Sequence, residues 1–267
     1  MCRCFGKYLK VVIDSYSNMI IADVHAHLDM MNKEELAAVI ERAAAAGVKV
    51  IINNSVDPKS GRKSLELQQQ FKIVKAALGL YPTEAAKMTV SEVGRELDFI
   101  RSNKSKIVAI GEIGLDYEQA GTNKEKQQLL FEQQIGLAKE LDIPAIVHSR
   151  KAEKEVVETL IRCECNKAVL HAFHGSIKLV KMAADAGFYI TIPTNIGRSS
   201  HFQAVVRELP VSRLLTETDA PFLAAEKGSG SEPAHIAKTI KAIAGIKGLT
   251  AEETANVIYS NYQKLFL

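Results

Sequence analysis

From Met19 onward, short runs of Ile, Val and Ala alternate with longer stretches in which apolar residues recur every three or four positions. Short apolar runs bounded by turn residues predict strands, and the longer period predicts amphipathic helices. Strands are expected at about 20–24, 48–54, 73–80, 106–110, 143–147, 167–170, 188–192 and 213–217. Helices are expected over 32–47, stopping at Gly47, then over 59–71, 91–102 from Ser91, 123–141, 150–163, 176–186, 200–208 and 233–245. A further helix over about 250–265 lies outside this alternation. The Gly- and Ser-rich segment FLAAEKGSGSEP, 222–233, is expected to be the mobile loop.

Strand followed by helix, eight times over, implies parallel strands joined by right-handed crossovers. Eight such units closing on themselves make a (β/α)8 TIM barrel, an α/β fold in a single domain. A doubly wound open sheet is the alternative, but it usually carries a glycine fingerprint after its first strand. Here that place holds His25-Ala26-His27. The domain is expected to span 19–267, with residues 1–18 as an N-terminal extension.

Bulk composition changes this picture little. The chain has 267 residues, 47% of them hydrophobic and 24% charged, which is ordinary for a globular domain able to bury a large core. A net charge of +3 suits a phosphate-bearing substrate but not a protein that coats nucleic acid. The cysteines, Cys2, Cys4, Cys163 and Cys165, are too few and too clustered for a disulfide framework. Each pair is spaced C-x-C, and Cys163 and Cys165 fall at an expected helix end where residues two apart diverge, so reduced thiols are expected rather than a zinc site. No apolar run approaches a membrane span and the first 18 residues lack a signal-peptide core, so the expected location is cytoplasmic.

The chemistry-bearing residues share one address, just after an apolar run. His25 and His27 follow MIIADV, Glu112 follows IVAIG, His148 follows IPAIV, His171 follows KAVL and Asp219 follows LLTET. Parallel α/β folds place chemistry in the loops after strands, and imidazoles and carboxylates are ligands for divalent cations. His25 and His27 are two apart, so on extended backbone they share a face. Gly111 and Gly114 around Glu112 permit close backbone approach. Alone, His148 or His171 reads equally as a core histidine, and Asp219 as a turn residue before Pro221. Glu217 alternates with Asp219 and has the weaker claim; His174 is expected in a loop or helix start, and His201 on the surface. Together the residues supply His25, His27 and Asp219 for one cation, His148 and His171 for a second, and Glu112 to join them. Two divalent ions a few ångströms apart can activate a bridging water as hydroxide, a constellation suited to hydrolysis of a phosphodiester or acyl bond. The mixed nitrogen and oxygen donors admit Zn, Mn, Mg or Co without choosing among them.

The segments DVHAHLD, IGEIGLDY, VHSR, LHAFHGS and TETDAPFL, in this order, resemble the TatD family of metal-dependent deoxyribonucleases, within the amidohydrolase superfamily. The resemblance runs from about Ile20 to Phe266, and SEPAHI at 231–236 also matches. It implies a TatD-like hydrolase barrel holding two divalent ions. His25, His27 and Asp219 bind one, His148 and His171 the other, and Glu112 is shared. The implied activity is metal-dependent hydrolysis of DNA, typically exonucleolytic, on a single strand or a 3′ end, with no membrane and no obligate protein partner. Asp219 is the residue expected to handle the proton of the nucleophile, with Glu112 the other catalytic carboxylate. One position departs from the family pattern: Tyr81, in GLYPTE, stands where a histidine is usual. A tyrosine there can donate a hydrogen bond to a phosphate oxygen but carries no positive charge near pH 7. Arg150 can clamp a phosphate through two parallel hydrogen bonds or serve as an ordinary helix-start residue. KSGRK at 59–63 reads as solvated surface within reach of a DNA backbone. Hydrolysis of an amide or ester, as in an aminoacyl-tRNA deacylase, and a non-catalytic metal-binding barrel are the competing readings.

Overall fold

The computed structural model describes residues 19–118, 123–226, 228 and 230–267. The extension at 1–18, with Cys2 and Cys4, lies outside the described residues, as do Lys227 and Ser229 of the segment expected to be mobile. Eight strands form one sheet in sequential order: β1 Ile21–Ala26, β2 Val48–Asn54, β3 Val74–Leu78, β4 Ile107–Asp116, β5 Ala145–Arg150, β6 Ala168–Leu170, β7 Tyr189–Pro193 and β8 Leu214–Glu217. Each neighbouring pair is parallel. The circle is drawn together between β8 and β1, where Thr216 Oγ1 donates to the Ala22 carbonyl at 2.8 Å and Asp219 N–H donates to the His25 carbonyl at 2.8 Å. This is the expected (β/α)8 TIM barrel.

The helices are α1 Lys33–Ala45, α2 Pro58–Gln70, α3 Pro82–Lys87, α4 Val90–Ser102, α5 Lys124–Leu141, α6 Glu153–Arg162, α7 Ile177–Asp185, α8 Ser200–Glu208, α9 Ile236–Lys247 and α10 Ala251–Phe266. Their starts are written in side chains. Asp57, Thr89 and Thr250 each accept from the N–H three residues on, and Ser60, Glu92 and Glu253 accept in return from the cap N–H. That box at Thr89 and Glu92 is why α4 begins at Val90 rather than Ser91. Helix α3 was not expected; Pro82 starts it with its backbone angle already preset.

Buried residues from seven of the eight strands, among them Ala22, Val24, Val50, Ile52, Ala77, Ala109, Ile146, Val169 and Leu215, cluster with Tyr262, Leu265 and Phe266 of α10. A cluster drawing on strands around the whole circle is the barrel interior. Asn261 of α10 donates to the carbonyls of Val211 and Leu214, both at 2.8 Å, so this last helix covers the end where the strands begin. The opposite end, where they finish, is left open for a site.

The largest departure from the expected elements is β4. It runs ten residues, to Asp116, and carries Glu112 within the strand instead of in a glycine-rich loop. Gly111 and Gly114 allow this. A Cβ on Gly111 would stand 2.9 Å from Ile146 Cβ, and one on Gly114, where φ is +140°, would stand 2.1 Å from the His148 carbonyl oxygen. Without side chains at these points β4 pairs with β5 from Ile110 to Asp116.

Candidate metal centre

Barrel closure builds half of the site. His25 lies near the end of β1, and His27 just past it. Asp219 N–H bonds the His25 carbonyl, and His27 N–H bonds the Ala220 carbonyl at 2.7 Å. The buried Asp23 carboxylate adds a second tie, accepting from Thr218 N–H at 3.0 Å and from its hydroxyl. Residues almost two hundred positions apart are therefore held by backbone and side chain alike. Asp219 has φ of +50°, a left-handed conformation that aspartate tolerates better than most side chains. Neighbouring strands supply the other half: β4 gives Glu112, β5 gives His148, and the residue after β6 is His171. All six expected ligands are buried, Asp219 being the most open at 9% exposure.

Their ligand atoms converge. His25 Nε2 and His27 Nε2 are 3.2 Å apart. They stand 3.5 and 3.3 Å from Glu112 Oε2, and 3.6 and 3.4 Å from Asp219 Oδ1. A tetrahedron with a centre-to-corner distance of about 2.0–2.2 Å, the range for nitrogen and oxygen donors on zinc, has edges of about 3.3–3.6 Å. The other Glu112 oxygen, Oε1, lies 2.8 Å from His148 Nδ1 and 4.0 Å from His171 Nε2. One carboxylate thus turns an oxygen to each of two donor groups. Three overlapping sets of close donor atoms exist among the described residues: His25 with His27 and Asp219, Glu112 with His148 and His171, and His25 with His171 and Glu217.

Hydrogen bonds on the far sides of the rings support the same assignment. His27 Nδ1 is 2.9 Å from the Asn54 carbonyl, which only accepts, so Nδ1 carries the proton and a neutral ring has Nε2 bare. His171 Nδ1 donates to Glu217 Oε2 at 2.8 Å, which leaves its Nε2 bare toward Glu112. His148 Nδ1, for all its closeness to Glu112, makes no well-aligned hydrogen bond, and His25 Nδ1 has no partner at all. Two buried Nε2 atoms at 3.2 Å, and ring nitrogens left unpaired, are costly unless a proton or a cation joins them. The donor set fits divalent cations.

Without a cation, protons take over part of that task. Burial acts to lower His27, but its bonds to Asp219 and Glu112 outweigh it and raise the ring well above the ordinary histidine value. Burial likewise opposes His171, yet Glu217 and Asp219 lift it to about 9. His25 is lowered, by burial first and by the neighbouring His171 second. Burial works to raise Glu112, but the surrounding imidazoles pull it well below the usual carboxylate range, and Asp219 is lowered in the same way.

The mouth opens into a cleft of about 550 Å³ lined by His27, Tyr81, Glu112, Arg150 and Phe222 among others. A second hollow of about 430 Å³ shares His148, Arg150, His171 and Asp219 with it and adds Lys151 and His174. Arg150 thus borders both, at the end of β5 rather than in the helix expected from 150. The Tyr81 hydroxyl is engaged inside the protein, donating to Asp116 Oδ2 at 2.6 Å and lying 3.1 Å from His148 Nε2. His174 is exposed, and His201 is half-buried beneath it instead of lying on the surface. Their rings stack at 5.3 Å, and His201 Nε2 donates to the Phe173 carbonyl. KSGRK falls in α2, where Arg62 pairs with Glu96 and Lys63 with Glu66 at 2.7 Å.

Two contributors escaped the reading of the sequence: Asp116 holds Tyr81, and Asn54 orients His27 through its carbonyl. Glu217, the lesser candidate beside Asp219, orients His171. Asp116 had a detectable signal, since it sits four residues beyond Glu112 on extended backbone and so shares its face.

The family model described as TatD related DNase matches residues 22–267. The chain belongs to the TatD family. It is 35% identical over 257 residues to the uncharacterized metal-dependent hydrolase YabD of Bacillus subtilis, covering 92% of this chain and 99% of the relative. It is 32% identical over 258 residues to deoxyribonuclease TATDN3 of Homo sapiens, covering 92% and 94%. Among solved structures, the TatD homologue YjjV of Escherichia coli superposes with a TM-score of 0.86 at 30% identity, covering 92% of this chain and 97% of that one. As a TatD-family member the protein is an enzyme, a metal-dependent hydrolase acting on ester bonds. No helix among the described residues is long and apolar enough to cross a membrane.

Proposed function

We propose that this enzyme hydrolyses phosphodiester bonds of DNA, releasing nucleotides from single strands or 3′ ends, with two divalent cations held by His25, His27, Glu112, His148, His171 and Asp219. The observation that carries the reading is the Glu112 carboxylate, with Oε2 toward one donor group and Oε1 toward another. The name of the human relative, a deoxyribonuclease, favours DNA as the substrate. When bound, such cations would supply acidity to a water and positive charge to phosphate oxygens. Zn, Mn, Mg and Co all suit the mixed donor set.

The protein's own groups divide the remaining tasks. Arg150, bordering both hollows, pairs with a non-bridging phosphate oxygen and aligns the phosphorus. Asp219 takes the proton of the attacking water on its carboxylate. The new oxygen–phosphorus bond forms as the bond to the sugar oxygen breaks, and the proton passes to that leaving oxygen. The ring of Tyr81 walls the cleft, and its hydroxyl reaches a phosphate only by leaving Asp116.

The test is an end-labelled single-stranded oligonucleotide incubated with the protein and Zn²⁺, Mn²⁺, Mg²⁺ or Co²⁺ in turn. Metal-dependent release of mononucleotides, lost in Glu112→Ala, is expected. Cleavage of aminoacyl esters with DNA untouched overturns the substrate in favour of a deacylase, and inertness toward both points to a binding protein.

A further inference from the structure

The Tyr81 hydroxyl has one proton and two neighbours. Asp116 Oδ2 at 2.6 Å is a carboxylate oxygen that only accepts, so the phenolic proton points there. The lone pairs of the same oxygen then face His148 Nε2 at 3.1 Å, and an acceptor at that place requires a proton on Nε2. A neutral imidazole protonated on Nε2 is bare on Nδ1, the atom that lies 2.8 Å from Glu112 Oε1 in the donor group Glu112, His148 and His171. Asp116 itself is 3.5 Å from Nε2, too far for a good direct bond, so its influence passes through the hydroxyl. Asp116 is in turn anchored. Its N–H donates to Gln127 Oε1 at 2.9 Å, Gln127 Nε2 donates to its carbonyl at 3.0 Å, and Glu118 N–H donates to Oδ1 at 3.0 Å.

We propose that Tyr81 is a positioning residue: with Asp116 behind it, its hydroxyl holds the His148 proton on Nε2 and so presents Nδ1 to a divalent cation. The proposal rests on the two-cation reading above and adds a role for a residue that touches no ligand atom of the cation directly. It accounts for a half-buried tyrosine bonded to a buried aspartate, a pair that the hydrolytic step does not use. Partners on the outer side of a ligating imidazole fix its tautomer and ring angle, and their loss commonly costs about 10–100-fold in metal affinity.

The experiment titrates the metal-free full-length protein with Zn²⁺ by calorimetry, for wild type, Tyr81→Phe, Asp116→Asn and the double variant. Zinc-loaded samples with ¹⁵N-labelled histidine are then examined by NMR. Tyr81→Phe keeps the ring and its packing, and its metal-free melting temperature should stay near that of wild type. The expected result is about a 10–100-fold weaker second Zn²⁺ site with the first unchanged. In wild type the His148 Nε2 proton should be visible and slow to exchange; in Tyr81→Phe it should broaden into solvent exchange. Because Asp116 acts through the hydroxyl, the double variant should lose no more than Tyr81→Phe alone. Wild-type affinity together with a slowly exchanging Nε2 proton in Tyr81→Phe overturns the proposal, as does full additivity of the two substitutions. A wild-type protein that takes up no Zn²⁺ overturns the two-cation reading itself, a separate and distinguishable failure.

Discussion

Replacing Glu217 with glutamine removes one negative charge and little volume from a fully buried position, with the carbonyl oxygen still able to accept from His171 Nδ1. In the native protein Glu217, with Asp219, lifts His171 from 6.5 to about 9. The sign of the stability effect follows from that direction. A group raised on folding stabilises the metal-free protein fully below 6.5, and the contribution fades as pH rises through about 9. Its size is on the order of 3 kcal/mol, from the separation of the two values at about 1.4 kcal/mol for each tenfold change. Metal binding runs the other way, because Nε2 can ligate only after the ring gives up a proton. At pH 7 that displacement costs about 3 kcal/mol, a roughly hundredfold loss from the high-pH affinity. Titration calorimetry with Zn²⁺ near pH 7.5, in buffers of differing ionisation heat, counts the protons released. Wild type should release about one proton more than Glu217→Gln, and its metal-free melting temperature should fall more steeply between pH 6.5 and 9. Equal proton release from the two proteins refutes the claim that Glu217 holds a charged His171.

Asp219→Asn should keep the fold and lower the turnover of single-stranded DNA by about 10²–10⁴-fold, the usual worth of a positioned general base; turnover within tenfold of wild type removes Asp219 from that role. Arg150→Ala should raise KM for an oligonucleotide by about 10–100-fold, with Arg150→Lys recovering only part, because a lysine cannot form the paired contact. Gly114→Ala should cost at least about 2 kcal/mol in denaturant unfolding, since its Cβ would press the His148 carbonyl at 2.1 Å. It should also weaken metal uptake by displacing His148. Phe131→Ala, at a fully buried position, should cost about 3–5 kcal/mol while leaving metal stoichiometry unchanged.

The order and type of the barrel strands, and most of the helices around them, were legible in the chain because they follow from local rules. A strand run, a turn residue and an amphipathic period each lie within a dozen positions, and eight repeats leave one closed architecture. The candidate ligands were legible for the same reason, since each imidazole or carboxylate directly follows an apolar run. What local pattern does not carry is distance across the barrel. That Asp219 meets His25 depends on hydrogen bonds between β1 and the segment after β8. That Glu112 turns one oxygen to each donor group depends on β4 running through two glycines against β5. That Tyr81 faces Asp116 and His148 depends on three strand ends meeting at one mouth. Residue type sets what a side chain can donate or accept, whereas the proton it carries is decided by the partner that tertiary packing brings to it.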